Sequence, residues 1–155
     1  MLTLTNDLDI PILSAPVKSP SAVFAEPTSL QFKQLLSQQI NHRLGAPYVY
    51  GAAGPWYFDC SGFVWSVFQA AGVTFERTSA RSLWQDFAPV KSGEEYKFGT
   101  LVFFNNLRHV GIVVDETGFY HASRSNGVTY SPFNEYWTNR LDGFRKNPRS
   151  SAHCR

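Results

Sequence analysis

From Ser29, the stretch SLQFKQLLSQQINHRLG places apolar residues at Leu30, Phe32, Leu35, Leu36, Ile40 and Leu44 at near-helical spacing, with a polar first residue able to cap and Gly45 to end the run. The pattern predicts a first helix. APYVYGAAGPWYFD follows with no sustained period, as expected of a loop laid on the core. Phe63, Val64, Val67, Phe68 and Ala71 then form a helical apolar stripe closed by Gly72. Asp59 is a suitable N-cap for it, so a central helix is predicted to begin at or beside Cys60. RTSARSLWQDF predicts a second, short helix, after which the pattern changes period. TLVFF, HVGIVVD, GFYHAS, GVTYS and LDGFRK are short, β-branched or aromatic, and separated by Gly, Asn and Asp, which predicts strands. Helices first and strands afterwards indicate an α+β fold. Ahead of these elements, Pro11, Pro16, Pro20 and Pro27 predict an extended arm over residues 1–28; the domain is expected over 29–147, and a flexible tail over 148–155.

A length of 155 residues suits one domain with a core of its own. Lys and Arg number 14 against 12 for Asp and Glu, a balance that argues against a nucleic-acid tract or a polybasic membrane patch as partner. The chain carries thirteen Phe, seven Tyr and four Trp, most of them expected in the core. Of the two cysteines, Cys154 lies one residue from the end of the chain, so Cys60 is read as a free thiol. The first twenty residues lack the pattern of a secretory signal and no stretch reaches the length of a membrane span. The expectation is a monomer made in the cytosol, with its site of action left open.

A cysteine in the first turn of a helix faces unpaired N–H groups and the positive end of the helix dipole, so its pKa is expected to fall below the ordinary value of about 8.5. Taken alone, an unpaired cysteine is more often a small buried hydrophobe, and a base is needed to raise the catalytic reading. His42 sits in the polar run of the first helix and His153 in the tail, both expected in solvent; His109 and His121 fall in consecutive strands. A three-residue loop between those strands would leave the two imidazoles roughly 13 Å apart. A five-residue loop, Val114 to Gly118, or a bulge of the same effect, sets His121 opposite Gly111 and diagonal to His109, within side-chain reach. That register is predicted. His109 would then take the proton of Cys60, and His121 would orient His109 from behind. A zinc site is the competing reading of one Cys and two His, but no tight ligand pair such as CxxC or HxxxH is present, so neither metal nor organic cofactor is expected.

GAPYVYGAAGPWYFDCSGFVW, ERTSARSLW, GTLVFF and RHVGIVVDETGFYHAS, in this order and at these distances, resemble the NlpC-type cell-wall cysteine peptidases over about Leu35 to Lys146. The resemblance implies a papain-like arrangement, with N-terminal helices, the nucleophile at a helix N-terminus, and a five- to six-stranded antiparallel sheet. It implies hydrolysis of the γ-D-glutamyl bond to a diamino acid in peptidoglycan stem peptides, through a thioester on Cys60 with His109 as base and His121 as third member. It also implies that Tyr48 reaches the reactive centre, where its hydroxyl would join the Cys60 N–H at the oxyanion. Asp59, besides capping, would contact the free amino group of the stem peptide. Ser61, Arg77 and Ser79, with Thr78 between the last two, would line the groove, although capping and solvated roles explain them nearly as well. Trp56 is a further candidate for substrate contact, and a groove closed by Trp56, Tyr57 and Trp84 would favour a related acyltransferase or thioesterase instead. A catalytically idle binding or tail-assembly module is the reading from another class. Immunity, secretion or phage-tail partners are compatible with the arm, and the sequence does not choose among them.

Overall fold

The computed structural model describes residues 26–147 and Arg149. Residues 1–25 of the expected arm and, Arg149 apart, the expected tail with His153 and Cys154 lie outside the described residues. The chain divides after Gln31 into two units. In the first, Thr28 Oγ1 accepts from the Gln31 N–H at 3.1 Å and the Gln31 side chain accepts from the Thr28 N–H at 2.8 Å, a reciprocal cap. Thr28, rather than the expected Ser29, therefore opens the first helix.

Helix α1, Ser29–Arg43, buries Phe32, Leu36 and Ile40, one residue per turn on one face. Helix α2, Cys60–Ala70, starts from Asp59 as N-cap and buries Phe63, Val64, Val67 and Phe68 together with the small residues of its first turn. Only glycine fits at position 62: a Cβ there would lie 2.1 Å from the Ala52 carbonyl oxygen, the same oxygen that accepts from the Asp59 N–H. The loop before α2 is thereby pressed against its N-terminus, and it is pinned by bridges of Phe58 to Tyr48 and to Ala53. Helix α3, Ala80–Asp86, is capped by Ser79.

The strands are β1 Leu101–Phe104, β2 His109–Asp115, β3 Gly118–Ser123, β4 Gly127–Pro132 and β5 Leu141–Arg145, with a one-turn helix α4, Glu135–Thr138, between the last two. They form one antiparallel sheet in the order β4-β3-β2-β1-β5. Both faces are covered. Leu101, Phe103, Val110, Ile112 and Ala122 pack with the helices, whereas Val102, Phe104, Val113 and Phe119 pack with Phe133, Trp137, Leu141 and Phe144. A strand buried on two sides loses the alternation of a half-exposed one, which is why TLVFF reads as a continuous apolar run. Trp84 meets Phe103 edge-on at 5.2 Å and lies under the Arg145 guanidinium at 3.5 Å. It is thus part of the contact between α3 and the sheet.

Strands β2 and β3 pair Ile112 with Tyr120 and Val113 with Phe119, then shift so that Asp115 meets Gly118. This is the predicted register, with Val114 as the extra residue of a bulge. His121 accordingly falls beside Gly111, whose absent side chain matters: a Cβ there would lie 2.8 Å from the Tyr120 carbonyl oxygen and 3.2 Å from the His121 Cβ.

Candidate active site

The thiol of Cys60 is 8% exposed and points from the first turn of α2 to the beginning of β2. It donates to the Arg108 carbonyl oxygen at 3.6 Å, and the Val110 N–H is turned toward the sulfur. The two backbone groups that meet the sulfur thus flank His109 in the chain. His109 Nε2 lies 2.7 Å from His121 Nδ1, with the rings perpendicular at 87°. His121 is 1% exposed, and its Nε2 lies 2.8 Å from Ser131 Oγ. A continuous hydrogen-bonded line therefore runs from His109 through His121 to Ser131, and Nδ1 of His109 is the ring nitrogen left for the thiol.

Burial dominates the electrostatics. It pushes the Cys60 thiol above its ordinary value; the Val110 N–H opposes this, the Asp59 charge reinforces it, and the N–H groups of Ser61 and Cys60 oppose it again. The lowered pKa expected from the helix N-terminus is thus corrected: desolvation of an anion at a site this closed outweighs a dipole and three N–H groups. Burial also lowers His109 to about 4, helped by the Arg124 charge, and lowers His121 to about 3, helped by His109. At neutral pH the resting site is a thiol and two neutral imidazoles.

Trp137 accounts for much of that dryness. Its ring stacks on His109 at 5.6 Å and 20°, and meets His121 edge-on at 5.1 Å. One-turn helix α4 holds it there, capped by Asn134, whose side chain accepts from the Trp137 N–H.

On the other side of Cys60, the Asp59 carboxylate is nearly saturated. Oδ1 accepts from the Gly62 N–H at 2.6 Å and Oδ2 from the Gly51 N–H at 2.9 Å, while Arg77 Nη2 reaches both oxygens at 3.0 and 3.1 Å. Arg77 Nη1 also donates to Ser61 Oγ at 2.9 Å. Asp59, Ser61 and Arg77 are therefore one cluster, and an incoming ammonium has to share the carboxylate with Arg77. Tyr48 is partly buried beside them; burial and the charges of Cys60 and Asp59 raise its hydroxyl above the ordinary value, so it stays a donor. Ser79 is an exposed helix cap, and Trp56 is 72% exposed and faces solvent.

With this geometry in place, residues 45–146 match the model of the NlpC/P60 family. The chain belongs to the NlpC/P60 family. Among similar proteins, a gamma-DL-glutamyl hydrolase of Bacillus subtilis is 36% identical over 119 residues, which are 70% of this chain and 28% of that protein. A probable endopeptidase of Haemophilus influenzae is 36% identical over 115 residues, 67% of this chain and 68% of that protein. The solved structure of an NLP/P60 family protein from Staphylococcus aureus superposes with a TM-score of 0.69 at 29% identity, covering 78% of this chain and 43% of that one. The chain thus spans about a quarter to two thirds of the length of these curated relatives. The papain-like α+β arrangement of helices on an antiparallel sheet is that of the NlpC/P60 structures.

Two residues of this NlpC/P60 site were not singled out by the sequence. Ser131 is legible once the register is known, because Thr129 pairs with His121 and Ser131 lies two residues along the same face of β4. Trp137 carries almost no signal, since a helix of four residues shows no periodicity.

Proposed function

We propose that this chain hydrolyses the γ-D-glutamyl bond to a diamino acid in peptidoglycan stem peptides, with Cys60 as nucleophile, His109 as base and acid, and His121 as orienter. The observation that carries the reading is the thiol held against the two backbone neighbours of His109, at the head of the line His109, His121, Ser131. For Nδ1 of His109 to accept the thiol proton, Nε2 must bear the hydrogen and donate to His121 Nδ1. His121 Nε2–H then donates to Ser131 Oγ. One tautomer of each ring satisfies the whole line.

In the free site both charged forms are disfavoured, so the proton moves as the sulfur attacks. The S–H proton passes to His109 Nδ1 while sulfur bonds to the carbonyl carbon, and the oxyanion meets the Cys60 N–H and the Tyr48 hydroxyl. Collapse breaks the C–N bond, and His109 gives its proton to the departing amine. Water then attacks the thioester, His109 takes the water proton, and return of that proton to sulfur releases the acid. The B. subtilis relative named as a gamma-DL-glutamyl hydrolase supports this bond type. The acyltransferase reading has no comparable support, because Trp84 is committed to the sheet.

The test is digestion of purified muropeptides by the wild type and by Cys60→Ala, with products identified by mass. Cleavage between D-glutamate and the diamino acid by the wild type alone is expected. Equal products from both proteins, or no cleavage of any stem form, would overturn the reading.

A further inference from the structure

Between taking the thiol proton and giving it to the departing amine, His109 carries a full positive charge, and no anionic side chain stands ready to meet it. Its neighbour His121 is itself lowered to about 3 and stays neutral. Arg124, from the turn after β3, opposes protonation of His109. With Arg108, from the turn before β2, and Tyr136 and Trp137 of α4, it shares with His109 the lining of a cavity of about 710 Å³. Among the described residues no carboxylate lines that cavity. The Asp59 carboxylate, beyond Cys60, is taken up by Arg77 and by the Gly51 and Gly62 N–H groups. The imidazolium thus forms in a dry site with burial and a like charge against it.

What does meet the His109 ring is aromatic. Trp137 stacks on it with centroids 5.6 Å apart and planes 20° apart, and Phe104 lies beside it at 6.2 Å and 43°. A stacked indole presents its electron-rich face, and a cation within about 6 Å of such a face is attracted by the ring quadrupole, most strongly for tryptophan. The same contact does little for a neutral imidazole, so it favours the charged form that appears only during the reaction. The indole is also held in place from its other sides. Phe104, Phe119 and Tyr136 meet it at steep angles, with centroids 4.9, 5.3 and 5.0 Å away, and the Asn134 side chain accepts from its backbone N–H at 3.1 Å. Its face therefore has no freedom to turn from His109.

We propose that the Trp137 indole is the electrostatic partner of His109, its face stabilising the imidazolium formed when the Cys60 proton is taken, in a site where no carboxylate does so. The inference rests on the role given to His109 under Proposed function. Trp137 touches neither substrate nor sulfur in this scheme; it is a positioning residue that acts through His109. Its ring has two opposed effects on that imidazole. By excluding water it disfavours the charged form, and by facing the ring it favours it. Truncating Trp137 removes both effects at once, whereas thinning its π electrons at constant shape removes only the second.

The test is site-specific replacement of Trp137 in the full chain by tryptophans carrying one to four ring fluorines, which keep the indole's outline and withdraw charge from its face. Two readouts need no substrate: the rate of Cys60 alkylation by iodoacetamide at pH 7.5, and the pH midpoint of His109 followed by NMR of labelled histidine. Alkylation is expected to fall stepwise, by about tenfold at four fluorines, the scale of a desolvated cation–π contact. The His109 midpoint should move to lower pH with each fluorine. The same series at Trp65, whose indole N–H is committed to the Phe75 carbonyl oxygen, should leave both readouts unchanged. In the Trp137 series kcat/KM for stem peptides should fall in the same order as alkylation. A flat series in either substrate-free readout, or an equal fall from Trp65, would reduce Trp137 to a water seal and overturn the inference while leaving the bond assignment intact. A graded fall in both, with no cleavage of any stem peptide by the wild type, would overturn the bond assignment and leave the Trp137 role standing.

Discussion

At the scale of single residues, the site is a set of neutral groups held ready to share one proton. Tyr48 is the clearest residue to test, because a donor that acts on the oxyanion matters chiefly in the transition state. Tyr48→Phe should lower kcat roughly a hundredfold with little change in KM. An unchanged rate would make Tyr48 a packing residue. Ser131 does not touch substrate in this scheme; it acts through His121 as a positioning residue. Removing its hydroxyl leaves His121 Nε2–H without its acceptor at 2.8 Å, so Ser131→Ala should lower kcat by roughly three- to tenfold, the worth of one neutral hydrogen bond. KM should hold, and Ser131→Thr should restore part of the rate. A loss in KM instead would place the hydroxyl on the substrate.

At the scale of elements, the N-terminus of α2 is set by contact as much as by capping. Asp59 caps the helix, bonds the Gly51 N–H and pairs with Arg77, so loop, helix and the chain before α3 are joined at one carboxylate. Gly62 allows the loop to close on it. In Gly62→Ala the new methyl group would meet the Ala52 carbonyl oxygen at 2.1 Å and Asp59 Oδ1 at 2.8 Å, and the first of these is backbone that cannot turn away. A loss of roughly 1–3 kcal/mol in urea unfolding is expected, with activity falling further because Asp59 and Cys60 shift together. Unaltered stability would show that the loop gives way freely.

At the scale of the whole molecule, folding buries two imidazoles that titrate near 6.5 in the unfolded chain. In the fold, His109 is lowered to about 4 and His121 to about 3. As pH falls below 6.5 the unfolded state binds protons first, so the stability contributed by the neutral pair is complete above that pH and is lost progressively down to about pH 3. The urea midpoint should therefore fall between pH 7 and pH 4, and the fall should be smaller in His121→Asn. An equal fall in the variant would assign the acid sensitivity to the carboxylates.

How far each feature was legible follows from the range of the interaction that decides it. Helical stripes, the Asp59 cap, the Cys60 position and the strand order in the chain are local patterns, and the sequence by itself determined them, along with a hairpin parity that had to bring His109 and His121 to one face. Thr28 replaced Ser29 as the first cap because the reciprocal partner Gln31 lies three residues on, a pairing visible only at the right offset. Tertiary structure alone decided the sign of the Cys60 shift, since desolvation depends on everything packed around the sulfur and not on its helix. It alone brought Trp137 over the histidines, took Trp84 into the core, and put Arg108 and Arg124 on one cavity, because residues from separate turns become neighbours only when a sheet sets the distance between them.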